Sequence, residues 1–241
     1  MTSSSSTPIS NILTEASNTP TEERSGYESD SETDESDVES DMVVRLKDIA
    51  TIGKLYVEKV LVASDKPRYP HKAALLEKIS LFQGDITKLE VDAIVNAANR
   101  SLLGGGGVDG AIHAAAGRDL VKECRTLGGA ETGESKITKG YRLPAKHVIH
   151  TVGPIYHSGD EERNERLLRS CYRSSLQLAV ENSLKHIVMT ILSTAHVALD
   201  EVRKFYDSED GEKLDRAIFV VWSDKDKRVY ENLIPVYFPP A

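Results

Sequence analysis

Residues Val95–Gly117 read V-N-A-A-N-R-S-L-L-G-G-G-G-V-D-G-A-I-H-A-A-A-G, and their types and spacing suit a nucleotide diphosphate. A short apolar strand through Ala93, Ile94 and Val95 ends in two asparagines, Asn96 and Asn99, and a loop with four consecutive glycines follows. Gly104, Gly105, Gly106 and Gly107 reach backbone angles closed to other residues and put no side chain between their N–H groups and a phosphate. The helix predicted behind them over Val108–Ala116 points its positive end at the same spot. Asp109 and His113, spaced i and i+4, share a face of that helix at its phosphate end. Each feature also has a plainer use: a glycine run as a flexible link, Asp109 as a helix cap, His113 as a packed histidine. Their coincidence in one stretch favours a site.

The run contains G-x-G-x-x-G at Gly105, Gly107 and Gly110, a weak dinucleotide signal by itself. The Rossmann version needs its first glycine at the strand's end and an acid closing a second strand roughly 20 residues on. Here Asn99–Leu103 intervene, and Glu131, at the right offset, follows a helix-like stretch and Gly128-Gly129. The Rossmann reading fails.

The elements that must position these residues alternate along the chain. Strands are predicted at Ile79–Gln83, Ala93–Asn96, Lys136–Thr138, His147–Val152, Ile187–Leu192 and Ala217–Trp222. Helices are predicted at Val108–Ala116, Asp119–Leu127, Glu162–Asn182, Ala195–Tyr206 and Lys225–Leu233. In the long helix Leu168, Cys171, Tyr172, Ser175, Leu178 and Ala179 recur at helical spacing, so one face covers a sheet. Near-continuous apolar strands such as A-I-F-V-V-W suit a sheet covered on both sides. The expected architecture is α/β, a three-layer α/β/α sandwich with a mixed, mostly parallel sheet. Its ligand crevice belongs beyond the carboxyl ends of the strands.

Residues 1–41 carry eleven acids against the single base Arg24, so this tail accounts for the chain's net charge of −8. Rich in Ser and Thr and poor in large apolar residues, it is expected to be disordered. Ser29, Ser31 and Ser36 each precede an acid by three positions, which suits an acid-directed kinase as well as a plain solvated spacer. Residues 42–73 read as a transitional extension with an unassigned helix or strand around Ile52–Ala63, and 74–241 as the folded domain. No apolar run approaches the roughly 18 to 20 residues that span a bilayer, and no signal-peptide core opens the chain. Two cysteines, Cys124 and Cys171, without a Cys/His cluster at ligand spacing, predict a reducing compartment, cytoplasm and/or nucleus, and no metal. The near-neutral folded part has no basic stripe for general nucleic-acid binding. A monomer is expected.

The Val95–Gly117 stretch resembles the signature of macro domains, in particular the MacroD-type subgroup that binds ADP-ribose and removes it from modified proteins. G-D-I-T at Gly84–Thr87, K-I-T-K-G-Y-R-L-P-A-K-H-V-I-H-T-V-G-P at Lys136–Pro154 and Tyr237-Phe238-Pro239 match as well. The similarity runs from about Ala74 to Pro239. It implies that Asp85, with Ile86 beside it, accepts a hydrogen bond from the adenine amine; a turn aspartate is the alternative. It places Trp222 against the adenine, where indole offers a wide stacking face, and a core tryptophan is the alternative. It puts Asn96 and Asn99 near the distal ribose, whose hydroxyls an amide can serve as donor and acceptor. Gly104–Gly107 and Val108 line the diphosphate.

The resemblance further implies hydrolysis of an ester between a protein's acidic side chain and the distal ribose, and of O-acetyl-ADP-ribose, with no cofactor. Asp109, with Asn99 nearby, is the candidate for positioning or deprotonating the water, and His113 for orienting Asp109 or assisting the leaving group. A substrate phosphate on the glycine loop is the alternative base. The partners so implied are ADP-ribose and mono-ADP-ribosylated proteins. One departure stands out: relatives follow S-T-G with a G-[VI]-[FY]-G-Y-P loop, whereas this chain passes from Ser193-Thr194 straight into A-H-V-A-L-D. A second phosphate loop is thus missing. Thr194 is expected to become a helix N-cap, and either the strand or the helix to shorten. The implied outcome is impaired hydrolysis, with a non-catalytic ADP-ribose reader or degenerate isoform as the alternative.

Overall fold

A computed structural model describes residues 42–155, 160–190 and 194–241. The acidic tail 1–41, with its three serines, lies outside the described residues, as do the last positions of the strand expected over Ile187–Leu192. The strands are β1 (Val44–Arg45), β2 (Ile79–Gln83), β3 (Leu89–Glu90), β4 (Ala93–Ala98), β5 (Ser135–Lys139), β6 (His147–Val152), β7 (His186–Met189) and β8 (Arg216–Val221). The α-helices are α1 (Ile52–Val57), α2 (Ala73–Lys78), α3 (Gly107–Ala116), α4 (Arg118–Thr126), α5 (Glu161–Glu181), α6 (Ala195–Asp207) and α7 (Asp224–Tyr237). None of the described helices is long and apolar enough to cross a membrane.

Six strands form one sheet in the order β2-β8-β7-β4-β6-β5, parallel throughout except where β5 pairs antiparallel with β6. That exception follows from connection length: the short link from Lys139 to His147 can only return the chain antiparallel, whereas parallel neighbours need a crossover. Successive strand side chains point to opposite faces, and the core divides accordingly. Ile94, Val148, Val188, Ile218 and Val220 pack with Ile112 and Ala116 of α3 and Leu120 and Cys124 of α4. Ala93, Val95, Ile187, Met189, Phe219 and Val221 pack with Leu168 and Tyr172 of α5, Ala198 and Val202 of α6, and Ile234 and Tyr237 of α7. Helices thus cover both faces.

Two expectations shift. The segment 42–73 is no mere transition: α1 begins after Thr51, whose hydroxyl accepts from the Lys54 N–H, and Ile52 and Leu61 are buried in the main core. Tyr56 donates to the Phe238 carbonyl at 2.8 Å, tying this extension to the C-terminus. At the other end, α7 continues past Leu233 and through Pro235 to Tyr237. Burial of Ile234 and Tyr237 against the sheet holds its last turn despite the donor that Pro235 lacks.

Candidate functional site

The predicted site residues gather at the carboxyl ends of the parallel strands. Asp85 and Ile86 follow β2, Asn99 follows β4, Thr190 follows β7 and Trp222 follows β8. Two cavities lie there. One of about 460 Å³ is lined by Asp85, Ile86, Gly107, Val108, Thr190 and Trp222, among others. The other, of about 300 Å³, is lined by Asn99, Gly105, Gly106, Asp109, Gly153 and Ile155, among others. The glycine loop contributes to both, so it forms the ridge between them.

That ridge is the start of α3. Gly106 stands at the N-cap with no side-chain cap, so no side chain competes for the first N–H groups of the helix. Gly107 has φ +60°, a left-handed angle costly for other residues, and a Cβ there or on Gly106 would enter open space. Gly110 is required for a different reason: its Cβ would lie 2.5 Å from the Gly105 carbonyl oxygen, so only glycine lets the helix pass under the loop. The open backbone, the uncapped helix end and the cavities on either side favour an elongated anion.

In the larger cavity Asp85 caps a 3₁₀ turn over Ile86–Lys88, its Oδ1 accepting from the Thr87 N–H at 2.8 Å and the Thr87 hydroxyl at 2.7 Å. It is therefore a turn aspartate and a cavity-lining carboxylate at once. Trp222 is 75% exposed, just beyond β8, which rules out the core reading and leaves its indole face on the cavity wall.

In the smaller cavity the organising group is Asp109, 3% exposed. Its Oδ1 accepts from Asn96 Nδ2 at 2.7 Å, and its Oδ2 from Asn99 Nδ2 at 3.4 Å. Asn99 is exposed and also donates to the Gly104 carbonyl at 2.8 Å, which closes the loop over the carboxylate. Asn96 departs from expectation. It is 0% exposed, and its amide turns inward to Asp109 and to His150 Nδ1 at 3.1 Å, so it reaches a ribose only through Asp109. The reason is strand parity: Asn96 shares the face of Ile94, the face that α3 covers. His113 shifts too. It lies beneath Gly104, whose added Cβ would come within 3.3 Å of the ring, and its Nε2 is 3.5 Å from Asp109 Oδ1 without a hydrogen bond. It lines neither cavity, which fits orientation of Asp109 rather than contact with a leaving group.

His150 is the residue that sequence reasoning missed. Fully buried on β6, it is the register partner of Asn96, and its Nε2 lies 3.0 Å from Thr138 Oγ1 and 3.6 Å from Cys124 Sγ. Burial, reinforced by nearby His113, pushes its imidazole down to about 3. The alternation in H-V-I-H-T-V, with Val148, His150 and Val152 on one face, was the available signal. Spacing along the chain had also shown no Cys/His cluster, yet the fold brings donor atoms of His113, Cys124 and His150 within 4.8 Å of one another. They come from α3, α4 and β6. The lone pairs of two of them are poorly disposed to a cation: His150 Nδ1 accepts from Asn96, so Nε2 carries the ring proton, and burial pushes the Cys124 thiol up to about 11.

Where the sequence departs from the family pattern, Thr194 occupies the N-cap of α6 with φ −117° and ψ 122°, and its side chain makes no capping bond. Strand β7 covers His186–Met189, and the positions between Thr190 and Thr194 lie outside the described residues.

A family model described as macro domain matches residues 95–203. The ADP-ribose glycohydrolase MACROD1 of Bos taurus is 51% identical over 208 residues, covering 82% of this chain and 63% of its own length, so the chain spans somewhat under two thirds of that relative. The crystal structure of the macro domain of ganglioside induced differentiation associated protein 2 superposes with a TM-score of 0.74 at 33% identity, covering 83% of this chain and 98% of that one. The Trypanosoma brucei macrodomain in complex with ADP-ribose gives 0.65 at 39% identity, over 79% and 76%.

Proposed function

The chain belongs to the macro domain family, and we propose that it binds ADP-ribose across its two cavities and hydrolyses mono-ADP-ribose esters of protein carboxylates and O-acetyl-ADP-ribose. The adenine occupies the larger cavity, stacked on Trp222 with its amine toward Asp85. The diphosphate crosses the open backbone of Gly105–Val108 at the start of α3. The distal ribose enters the smaller cavity beside Asn99. Asp109, its Oδ1 held by Asn96 and its other oxygen at the cavity, places the water that attacks the ester; a phosphate of the bound substrate is the alternative base. The observation that carries this reading is the glycine ridge, because it joins a cavity with an exposed aromatic to one with a buried carboxylate.

The second reading, a reader of ADP-ribose that turns over slowly if at all, is favoured by the direct entry of the chain into α6 at Ala195. Without a loop opposite the glycine ridge the diphosphate is held from one side. Losing two or three hydrogen bonds to a charged group costs several kcal/mol, at about 1.5–3 kcal/mol each. Turnover suffers further, since a misplacement of about 1 Å costs on the order of 100-fold. Calorimetry with ADP-ribose beside a single-turnover assay separates the two: binding with hydrolysis supports the enzyme, binding alone the reader, and no binding refutes both. Inserting G-I-Y-G-Y-P after Thr194 is expected to raise affinity and rate together.

A further inference from the structure

We propose that His150 is the positioning residue for Asp109: its unprotonated Nδ1 pins one N–H of the Asn96 amide, which aims the other at Asp109 Oδ1. This rests on Asp109 as the carboxylate that places the water. The terminal torsion of an asparagine is broad, so one hydrogen bond does not set the plane of its amide. Among the described residues Asn96 Oδ1 is buried without a hydrogen-bond partner and so adds nothing to that orientation. Two contacts, both at Nδ2, therefore define it: Asp109 at 2.7 Å and His150 at 3.1 Å. Reversing the amide would set two acceptors 2.7 Å apart, which leaves Nδ2 as the donor and His150 Nδ1 as the acceptor.

The ring is itself fixed. With Nδ1 accepting, the proton of the neutral imidazole sits on Nε2, where Thr138 Oγ1 receives it at 3.0 Å. Asn96 and His150 are register partners on adjacent parallel strands, so the backbone holds the spacing that the pair requires. Burial keeps the ring neutral through the physiological range, so it remains an acceptor there. His150 lines neither cavity, and its hydrogen-bonded route to Asp109 runs through Asn96.

The test uses the full chain with His150→Leu, which fills the site without an acceptor, and His150→Asn, whose amide oxygen takes the place of Nδ1. Three readouts are compared: the Asn96 side-chain amide signals in ¹⁵N-resolved NMR, single-turnover hydrolysis of a mono-ADP-ribosylated protein, and ADP-ribose affinity by calorimetry. His150→Leu is expected to lose the slow exchange of the Asn96 amide protons and to cut turnover on the order of 100-fold, with affinity changed less than about twofold. His150→Asn is expected to restore both the signals and most of the turnover. Unchanged Asn96 signals and turnover in His150→Leu overturn the proposal. So do equal losses in both variants that track melting temperature, which would mark His150 as scaffold alone. A native chain that binds ADP-ribose but does not hydrolyse it removes the hydrolase reading instead, and the Asn96 signals alone then decide the positioning role.

Discussion

Two buried carboxylate clusters lie on opposite faces of the sheet, one on α6 and one on α3. On α6, Asp200 accepts from Tyr69, Arg169 and Lys204, each at 2.7 Å, and Glu201 from Arg169 and Arg173, each at 2.6 Å. Arg203, fully buried beside them, donates to the Tyr237 and Pro70 carbonyls and to Asp207. This network stitches the N-terminal extension and the C-terminus to the core. On α3, Asp109 meets two neutral amides and, among the described residues, no lysine or arginine, and Asn96 Oδ1 and His113 Nε2 have no hydrogen-bond partner among them. An unsatisfied buried polar group costs about 1–3 kcal/mol, so the α3 cluster gives up stability that the α6 cluster secures. The difference separates a carboxylate committed to holding the fold from one with bonding capacity left for a ligand and water.

Substitutions are expected to divide along the same line. Arg169→Met leaves Asp200 and Glu201 each short of a buried donor, and a loss of about 3–5 kcal/mol is expected in denaturant unfolding, with turnover per folded molecule unchanged. Asp109→Ala should do the reverse: turnover lower by about 10²–10⁴-fold with ADP-ribose affinity and melting temperature little changed. If Asp109→Ala loses stability as Arg169→Met does, the two clusters share one structural role and the contrast fails.

Acid sharpens the comparison, because the clusters lose stability in different windows. His150 has a folded value near 3, below its unfolded value of about 6.5, so the unfolded chain takes up the proton first. The stability it permits is complete above about pH 6.5 and is lost as pH falls toward 3, with about 3 kcal/mol gone by pH 4. Burial alone would raise the Asp200 carboxyl, but hydrogen bonds from Lys204, Tyr69 and Arg169 outweigh it and hold it at about 2. Its contribution, about 2 kcal/mol, is present above about pH 4 and lost only as pH falls toward 2. Thermal melts from pH 8 to pH 3 should therefore begin to decline near pH 6.5, and His150→Asn should delay that decline toward pH 4. A native curve flat down to pH 4 would contradict the burial of a neutral His150.

The smallest effect concerns the far end of the site. If Asp85 accepts from the adenine amine as proposed, Asp85→Ala is expected to weaken ADP-ribose by about 1.5–3 kcal/mol in calorimetry, with little change in the rate for bound substrate. Because Asp85 also caps the turn over Ile86–Lys88, Asp85→Asn serves as the control. It keeps an acceptor for Thr87 while removing the charge. Equal affinity in all three proteins would place the adenine elsewhere.

Much of this was legible along the chain because it depends on local periodicity. β2 and β6 fall on their predicted residues, and α3, α4 and α5 begin within one residue of prediction, since runs such as I-S-L-F-Q and the stripe of Leu168, Cys171 and Tyr172 bury the same faces in any fold of this class. The glycine run and the Asp109–His113 spacing are likewise local. Helix α2 and the short strands β1 and β3 were not predicted, because six residues or two carry too little periodicity to be told from loop.

The alternation of elements, the glycine run Gly104–Gly107 and the position of Asp109 one turn before His113 could be read along the chain, each being a property of neighbours in it. Which polar groups meet followed from the packing of the fold. Asn96 lies 54 residues from His150, and parallel pairing of β4 with β6 sets their side chains on the same face beneath α3. Strand parity likewise turned Asn96 inward. The end of β8 left Trp222 exposed at the larger cavity, and the packing of α3 on α4 brought Cys124 to the histidines. Contacts between distant residues depend on strand order and register, which no local pattern carries.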